Sequence, residues 1–112
     1  MSLFLNQIRV LDFTNNIAGP FCCAMLADMG AEVIHIEKPV WGDDSRHFSP
    51  KFSGTSSSYC YLNRGKKSLV LDLKDPEAVE IVKMLVKDTD ILVESSRPGA
   101  MSRWRRVCLG TS

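Results

Sequence analysis

Apolar and polar positions alternate along the chain in two rhythms. Ile8, Val10, Leu11 and Phe13 form a short apolar run rich in β-formers, which predicts a buried strand over 8–13. Thr14, Asn15 and Asn16 break the run with turn chemistry. From Phe21 to Met29 the spacing becomes helical: Phe21, Ala24, Met25 and Asp28 recur on one side, and Gly30 stands where a helix ends. Val33, Ile34 and Ile36 predict a second strand over 32–37. Strand, glycine turn, helix and strand within ~30 residues have the size of a βαβ unit, whose crossover is overwhelmingly right-handed and joins parallel strands.

The stretch from Pro39 to Ser58 is rich in Pro, Gly, Ser and Asp and reads as an irregular excursion. Excursions this long in compact folds are often functional. Ser68 to Leu73 predicts a third strand. Asp75-Pro76-Glu77 then marks a helix start, with an acidic cap, proline in the first turn and a second acid. Val79, Val82, Leu85 and Val86 supply that helix's apolar stripe, and Ile91, Leu92 and Val93 predict a fourth strand over 91–94. Pro98-Gly99 is a turn, and a short helix is expected from Ala100 to Trp104. The order predicts an α/β fold with a Rossmann-like, doubly wound parallel sheet.

Composition narrows the picture. At 112 residues, 45% hydrophobic and 24% charged, the chain suits one small domain or a piece of a larger one. A net charge of +1 offers no field for nucleic acid, and no apolar run approaches the ~20 residues that span a bilayer. Without a basic, apolar leader at its start, the sequence points to the cytoplasm or an organelle matrix. Cys22, Cys23, Cys60 and Cys108 form no CxxC pair, and with His35 and His47 isolated they form no zinc-spaced cluster. Buried free thiols are expected, and no metal.

Candidate chemistry gathers at the predicted strand ends. The first strand-to-helix turn reads Ile17-Ala18-Gly19-Pro20 rather than G-x-G-x-x-G, which argues against a pyridine-dinucleotide dehydrogenase. That turn either seats an anionic ligand or merely starts a helix. Glu37 and Lys38 close the second strand: the acid suits a ribose hydroxyl and the lysine a phosphate, while solvated charges are the plainer reading. Lys74 follows the third strand, Arg97 the fourth, and Arg103 comes one turn later. In a parallel sheet, Lys38, Lys74, Arg97 and Arg103 fall on one edge. Arg46, Arg64, Lys66 and Lys67 add loop charge that suits either solvent or ligand. Asp12, near the end of an apolar strand, reads as a turn hydrogen-bonder rather than a catalyst. No nucleophile–histidine pair or acid/base pair has a setting that would support catalysis.

Three blocks, RVLDFTNNIAGPFCCAMLADMGAEVIHIEKPVWGDDSR, LNRGKKSLVLDLKDPE and DILVESSRPGAM, resemble in order and spacing the N-terminal blocks of class III CoA-transferases. That family includes formyl-CoA and carnitine CoA-transferases and the related α-methylacyl-CoA racemases. The resemblance spans about residues 8–103. It implies that residues 1–103 are the N-terminal part of a large CoA-binding domain and that 104–112 form a divergent tail. It also implies acyl-CoA and carboxylic acid substrates, coenzyme A as the ligand, an interlocked homodimer, and no nucleic-acid or membrane partner.

By the same resemblance, Ile17 and Ala18 lie in the turn beneath CoA. Lys38 and Lys74 meet phosphates and ribose, and Leu71, Asp72 and Leu73 line the third strand's end. Ser95, Ser96 and Arg97 replace an Asn-Phe-Arg beside the adenine, with Arg103 following. The serines depart from the pattern and remove a stacking ring. The implied mechanism is covalent: an aspartate attacks the donor thioester, releasing CoA thiolate and leaving an aspartyl anhydride. The thiolate converts the anhydride to an aspartyl-CoA thioester, and the acceptor carboxylate takes over the CoA. That aspartate lies beyond the stretch represented here, so the chain is expected to hold no catalytic residue and to be inactive alone. After Met101 the sequence reads SRWRRVCLGTS in place of a Gly-Leu-Gly-Tyr-like segment. The chain therefore reads as a transferase segment, with a racemase fragment or a non-catalytic truncated product as the alternatives.

Overall fold

The computed structural model describes residues 4–95. Along them run β1 (Arg9–Phe13), α1 (Ala18–Asp28), β2 (Glu32–Glu37), a 3-10 turn (Asp44–His47), β3 (Lys51–Phe52), β4 (Thr55–Ser56), α2 (Ser57–Leu62), β5 (Lys67–Val70), α3 (Pro76–Lys87) and β6 (Ile91–Glu94). β5, β2, β1 and β6 lie side by side in that order, every neighbouring pair parallel. The α/β parallel sheet predicted from the apolar rhythm is therefore present. The chain steps outward from β1 to β2 to β5 and then returns to β1's other side for β6. Such a reversal leaves a crevice at the strands' carboxyl ends, where open α/β sheets bind ligands.

Alternating side chains give the sheet two apolar faces. Val10 and Val33 pack with Cys23, Leu26 and Ala27 of α1. Leu11, Ile34 and Ile36 pack with Leu69, Leu71 and Leu73 and with Leu85 and Val86 of α3. Helix α3 starts as its sequence predicts: Asp75 accepts the Glu77 amide at 2.9 Å, Pro76 occupies the first turn, and Val82 is buried at the centre of the stripe.

Three expectations need correction. In α1 the buried face is Pro20, Cys23 and Ala24, while Phe21 and Met25 point outward. This helix is apolar on nearly every side, so its spacing does not select a face; small residues, which allow close approach, face the sheet. The thiols divide as well: Cys23 is buried, but Cys22 and Cys60 are exposed. Adjacent residues sit ~100° apart on a helix, so Cys22 and Cys23 cannot both face the sheet. Finally, the third strand is β5, which ends at Val70. The Leu71 amide still donates to the Glu37 carbonyl at 3.0 Å, and Leu71 and Leu73 then turn into the core beside α3.

The excursion after β2 holds more order than its composition suggests: a 3-10 turn, a two-stranded hairpin, and α2, capped by Ser56 Oγ accepting the Tyr59 amide. The expected Ala100–Trp104 helix and the 104–112 tail lie outside the described residues.

Candidate functional site

A cleft of about 280 Å³ opens at the carboxyl ends of β1, β2 and β5. Phe13, Ile36, Leu71 and Leu73 give it apolar walls, and Lys38, Asp72 and Lys74 add charge at its edge. Both lysines are exposed; Lys38 Nζ lies 3.9 Å from Asp44 Oδ1, and the Lys74 amide donates to Asp72 Oδ1 at 3.0 Å. A volume at the lower limit of small-molecule sites (~300–1,000 Å³) suits one end of a nucleotide-bearing ligand.

Six residues singled out from the sequence are thus brought together: Glu37, Lys38, Leu71, Asp72, Leu73 and Lys74. Ile17 and Ala18 are exposed at the start of α1 and do not line the cleft. Ser95 follows β6, exposed and likewise away from it. Ser96, Arg97 and Arg103 lie outside the described residues.

The turn into α1 is held by a close approach that admits glycine alone. A Cβ on Gly19 would stand 2.3 Å from Thr14 Cβ, an impossible contact. Thr14 is itself fixed: its amide donates to Asp12 Oδ1 at 2.8 Å, and its hydroxyl donates to the same oxygen. Asp12 is therefore the turn hydrogen-bonder its position suggests. No side chain caps α1, whose first turn also lacks an acid, so its leading amides remain open to an anion.

The floor of the cleft is a buried ionic network that sequence reasoning missed, and its His35, Glu37 and Asp43 line the cleft. Asp12 Oδ2 sits 2.7 Å from Lys66 Nζ and 3.0 Å from His35 Nδ1. The Nδ1 contact is out of line for a directed hydrogen bond, so charge carries it. On the ring's other side, Nε2 lies 3.0 Å from Asp43 Oδ2. Asp43 Oδ1 accepts the Ser45 amide at 2.9 Å, the Ser45 hydroxyl at 2.8 Å and the Asn16 amide at 3.3 Å.

Glu37 completes the set, and neither sequence reading of it survives. It is buried, and Arg46 grips it through Nε at 2.7 Å and Nη2 at 2.8 Å. Ser68 Oγ and the Asp43 amide occupy its remaining acceptor sites at 2.5 and 2.8 Å. Neither ribose nor solvent can take those oxygens. The loop cations are likewise spent: Lys66 on Asp12, Arg46 on Glu37, and Arg64 on Asp28 at 2.7 Å.

The network sets its own charges. Burial opposes the Asp12 carboxylate, but His35, Lys66 and Thr14 outweigh it and hold Asp12 at about 2. Burial likewise disfavours a charged His35, yet flanking Asp12 and Asp43 lift the ring to about 9. Glu37 is held at about 2, the Arg46 and Ser68 hydrogen bonds overcoming desolvation. Three anions and three cations therefore balance in the floor of the cleft, which leaves Lys38 and Lys74 as its accessible cations. Among the described residues no group of His, Cys, Asp and Glu has a metal site's geometry. No helix among them is long and apolar enough to cross a membrane.

The sequence profile of CoA-transferase family III matches residues 5–106. The chain belongs to that family. It is 47% identical over 100 residues to the human succinyl-CoA:glutarate CoA-transferase, covering 88% of this chain and 23% of the relative. It is 38% identical over 112 residues to formyl-CoA:oxalate CoA-transferase of Rhodopseudomonas palustris, covering 96% and 26%. Among solved structures, a CAIB/BAIF family protein from Brucella suis superposes with a TM-score of 0.85 at 30% identity, covering 93% of this chain and 29% of that one. Rv3272 from Mycobacterium tuberculosis gives 0.86 at 34% identity, covering 99% and 31%. The chain thus spans about a quarter of the length of these CoA-transferases.

Proposed function

We propose that this chain is the CoA-anchoring segment of an acyl-CoA:carboxylate CoA-transferase, and that the cleft between Lys38 and Lys74 takes the nucleotide end of CoA. One observation carries the reading: two exposed lysines, one directly after β2 and one in the turn between β5 and α3, stand at the edge of one apolar-walled cleft, while the cations around them are consumed by buried carboxylates. Family membership supports CoA as the group carried. Relatives named for glutarate, citramalate, malate and oxalate support a dicarboxylic acceptor. The open amides of α1 are suited to a phosphate, and Arg97 and Arg103 would extend the cationic edge.

The chain's own contribution is binding. Fixing the anionic nucleotide restrains the distant sulfur, so binding energy is spent on orientation at the reacting carbonyl. The covalent steps would belong to an aspartate outside residues 1–112: it attacks the thioester and CoA thiolate departs. The thiolate attacks the aspartyl carbonyl of the anhydride and releases the donor acid. The acceptor carboxylate then attacks the aspartyl-CoA thioester and expels the thiolate again, which takes the acceptor's acyl group from the second anhydride and frees the aspartate. Residues 1–103 would be the N-terminal part of that enzyme's large domain, within an interlocked homodimer in the cytoplasm or an organelle matrix.

Calorimetric titration of the chain with coenzyme A tests the anchor. Binding is expected, and Lys74→Ala is expected to weaken it by ~1–3 kcal/mol, the range for a charge-assisted hydrogen bond. Absence of binding, or equal affinity in Lys38→Ala, Lys74→Ala and the unaltered chain, would refute it. Mixed with succinyl-CoA and glutarate, the chain alone is expected to transfer nothing; turnover that survives removal of host enzymes would mean that a residue of this chain acts as nucleophile, with Asp12 and Asp43 the first to test.

A further inference from the structure

We propose that His35 is a positioning residue for the cleft: its ring ties Asp12 of the sheet to Asp43 and thereby holds the Pro39–Asp43 wall in shape for its ligand. The inference rests on the reading of the cleft as the CoA site.

The wall needs an anchor. Val40 has φ +68, in the left-handed region that β-branched residues avoid. The Trp41 amide donates to the Pro39 carbonyl at 2.8 Å, closing a tight γ-turn around Val40. Val40 is fully exposed, so no packing from outside sustains the turn. Strained backbone of this kind persists where its surroundings over-determine it. Here the holding contacts converge on Asp43. Its amide reaches Glu37, one carboxylate oxygen holds Ser45 and Asn16, and the other meets His35. Gly42 adds a steric condition, because a side chain there would be strained by its φ of +71 and would displace Arg46, whose Cδ lies 2.9 Å from a Cβ built at that position.

The charge on the ring matters as well as its shape. Asp12 faces it from β1, Asp43 from the excursion, and Lys66 approaches through Asp12 from the turn before β5. Glu37, with Arg46, lies two residues along the same strand face, and Cys23 of α1 stands near Asp12. A neutral side chain at 35 would leave two buried carboxylates without the cation between them. One would take a proton or swing outward, and outward movement of Asp43 would carry the wall with it. Burial disfavours the cation, and the two aspartates more than restore it, to about 9, so at neutral pH the ring is a standing charge and not a proton acceptor.

The test uses the 112-residue chain, nitrogen-15 NMR, and calorimetry with coenzyme A. His35 should show both ring nitrogens protonated at neutral pH. His35→Asn and Asp43→Asn should shift the amides of Asn16 and of residues 40–45 while leaving those of α3 in place. Each should weaken CoA binding about tenfold, the effect of losing one hydrogen bond to a charged group. Asp43→Asn keeps an acceptor for Ser45 but sets an NH2 donor in place of the oxygen that meets His35 Nε2, so it breaks that contact with the ring in place and reports even where His35→Asn fails to fold. A neutral ring, unmoved wall amides, or unchanged affinity in a folded variant would overturn the positioning role. If the unaltered chain binds no CoA, the reading of the cleft fails, and the ring and wall signals alone decide for or against His35.

Discussion

Asp12 and His35 stand opposite one another in the β1–β2 register, both buried, with Oδ2 3.0 Å from Nδ1. The pair joins the sheet's two central strands at the floor of the cleft. Because Lys66 and Asp43 extend it on either side, its ionisation is coupled to the shape of the site.

Stability is expected to depend on pH on both flanks. His35 is raised from 6.5 to about 9, so its contribution is full below 6.5 and is lost as pH rises through about 9. Asp12 and Glu37 are lowered from 3.8 and 4.5 to about 2, so theirs are full above those ordinary values and are lost as pH falls through about 2. Urea midpoints should therefore be greatest between 4.5 and 6.5. Asp12→Asn, which removes one of the ring's two anionic neighbours, should shift the alkaline loss to lower pH. An alkaline limb unchanged in that variant would contradict the assignment.

Gly19→Ala should be among the most damaging single-methyl additions. The new Cβ would meet Thr14 Cβ at 2.3 Å, and Thr14 cannot retreat while Asp12 holds its amide and hydroxyl. Overpacking costs about 1–3 kcal/mol, and occasionally more. The variant's urea midpoint gives the number, and an undiminished midpoint would show that the β1–α1 turn can open.

Lys66→Met tests the buried ion pair. Removing the ammonium leaves Asp12 buried with His35 as its remaining cation, and breaking a buried pair in this way costs about 3–5 kcal/mol. The Asp12 carboxyl should also titrate higher, which carbon-13 NMR of its side chain reads directly. A loss below about 1 kcal/mol, the figure for an exposed pair, would place Lys66 in solvent.

Alternation of apolar residues and the caps around α3 were enough to predict the α/β class and the parallel strands, because both signals are local: a strand repeats every two residues, and Asp75-Pro76-Glu77 satisfies its own helix end. Lys38 and Lys74 were legible as sharing one edge for a related reason, since parallel strands deliver their ends to one edge, although Lys74 reaches it from the turn that follows β5 rather than from the strand's own end. The buried face of α1 was not legible, because an apolar helix offers no contrast to read. His35 was not legible either. In sequence it stands alone, and only the pairing of β1 with β2 sets it beside Asp12, while the fold of the excursion returns Asp43 to its other side. Glu37 shows the same limit: as a strand-end acid it suits ribose or solvent, and the return of Arg46 and Ser68 from distant segments decides that it serves neither. Sequence periodicity carries what depends on a residue's near neighbours. The charge, burial and partners of an ionisable group depend on segments far along the chain, and those the tertiary structure alone brings together.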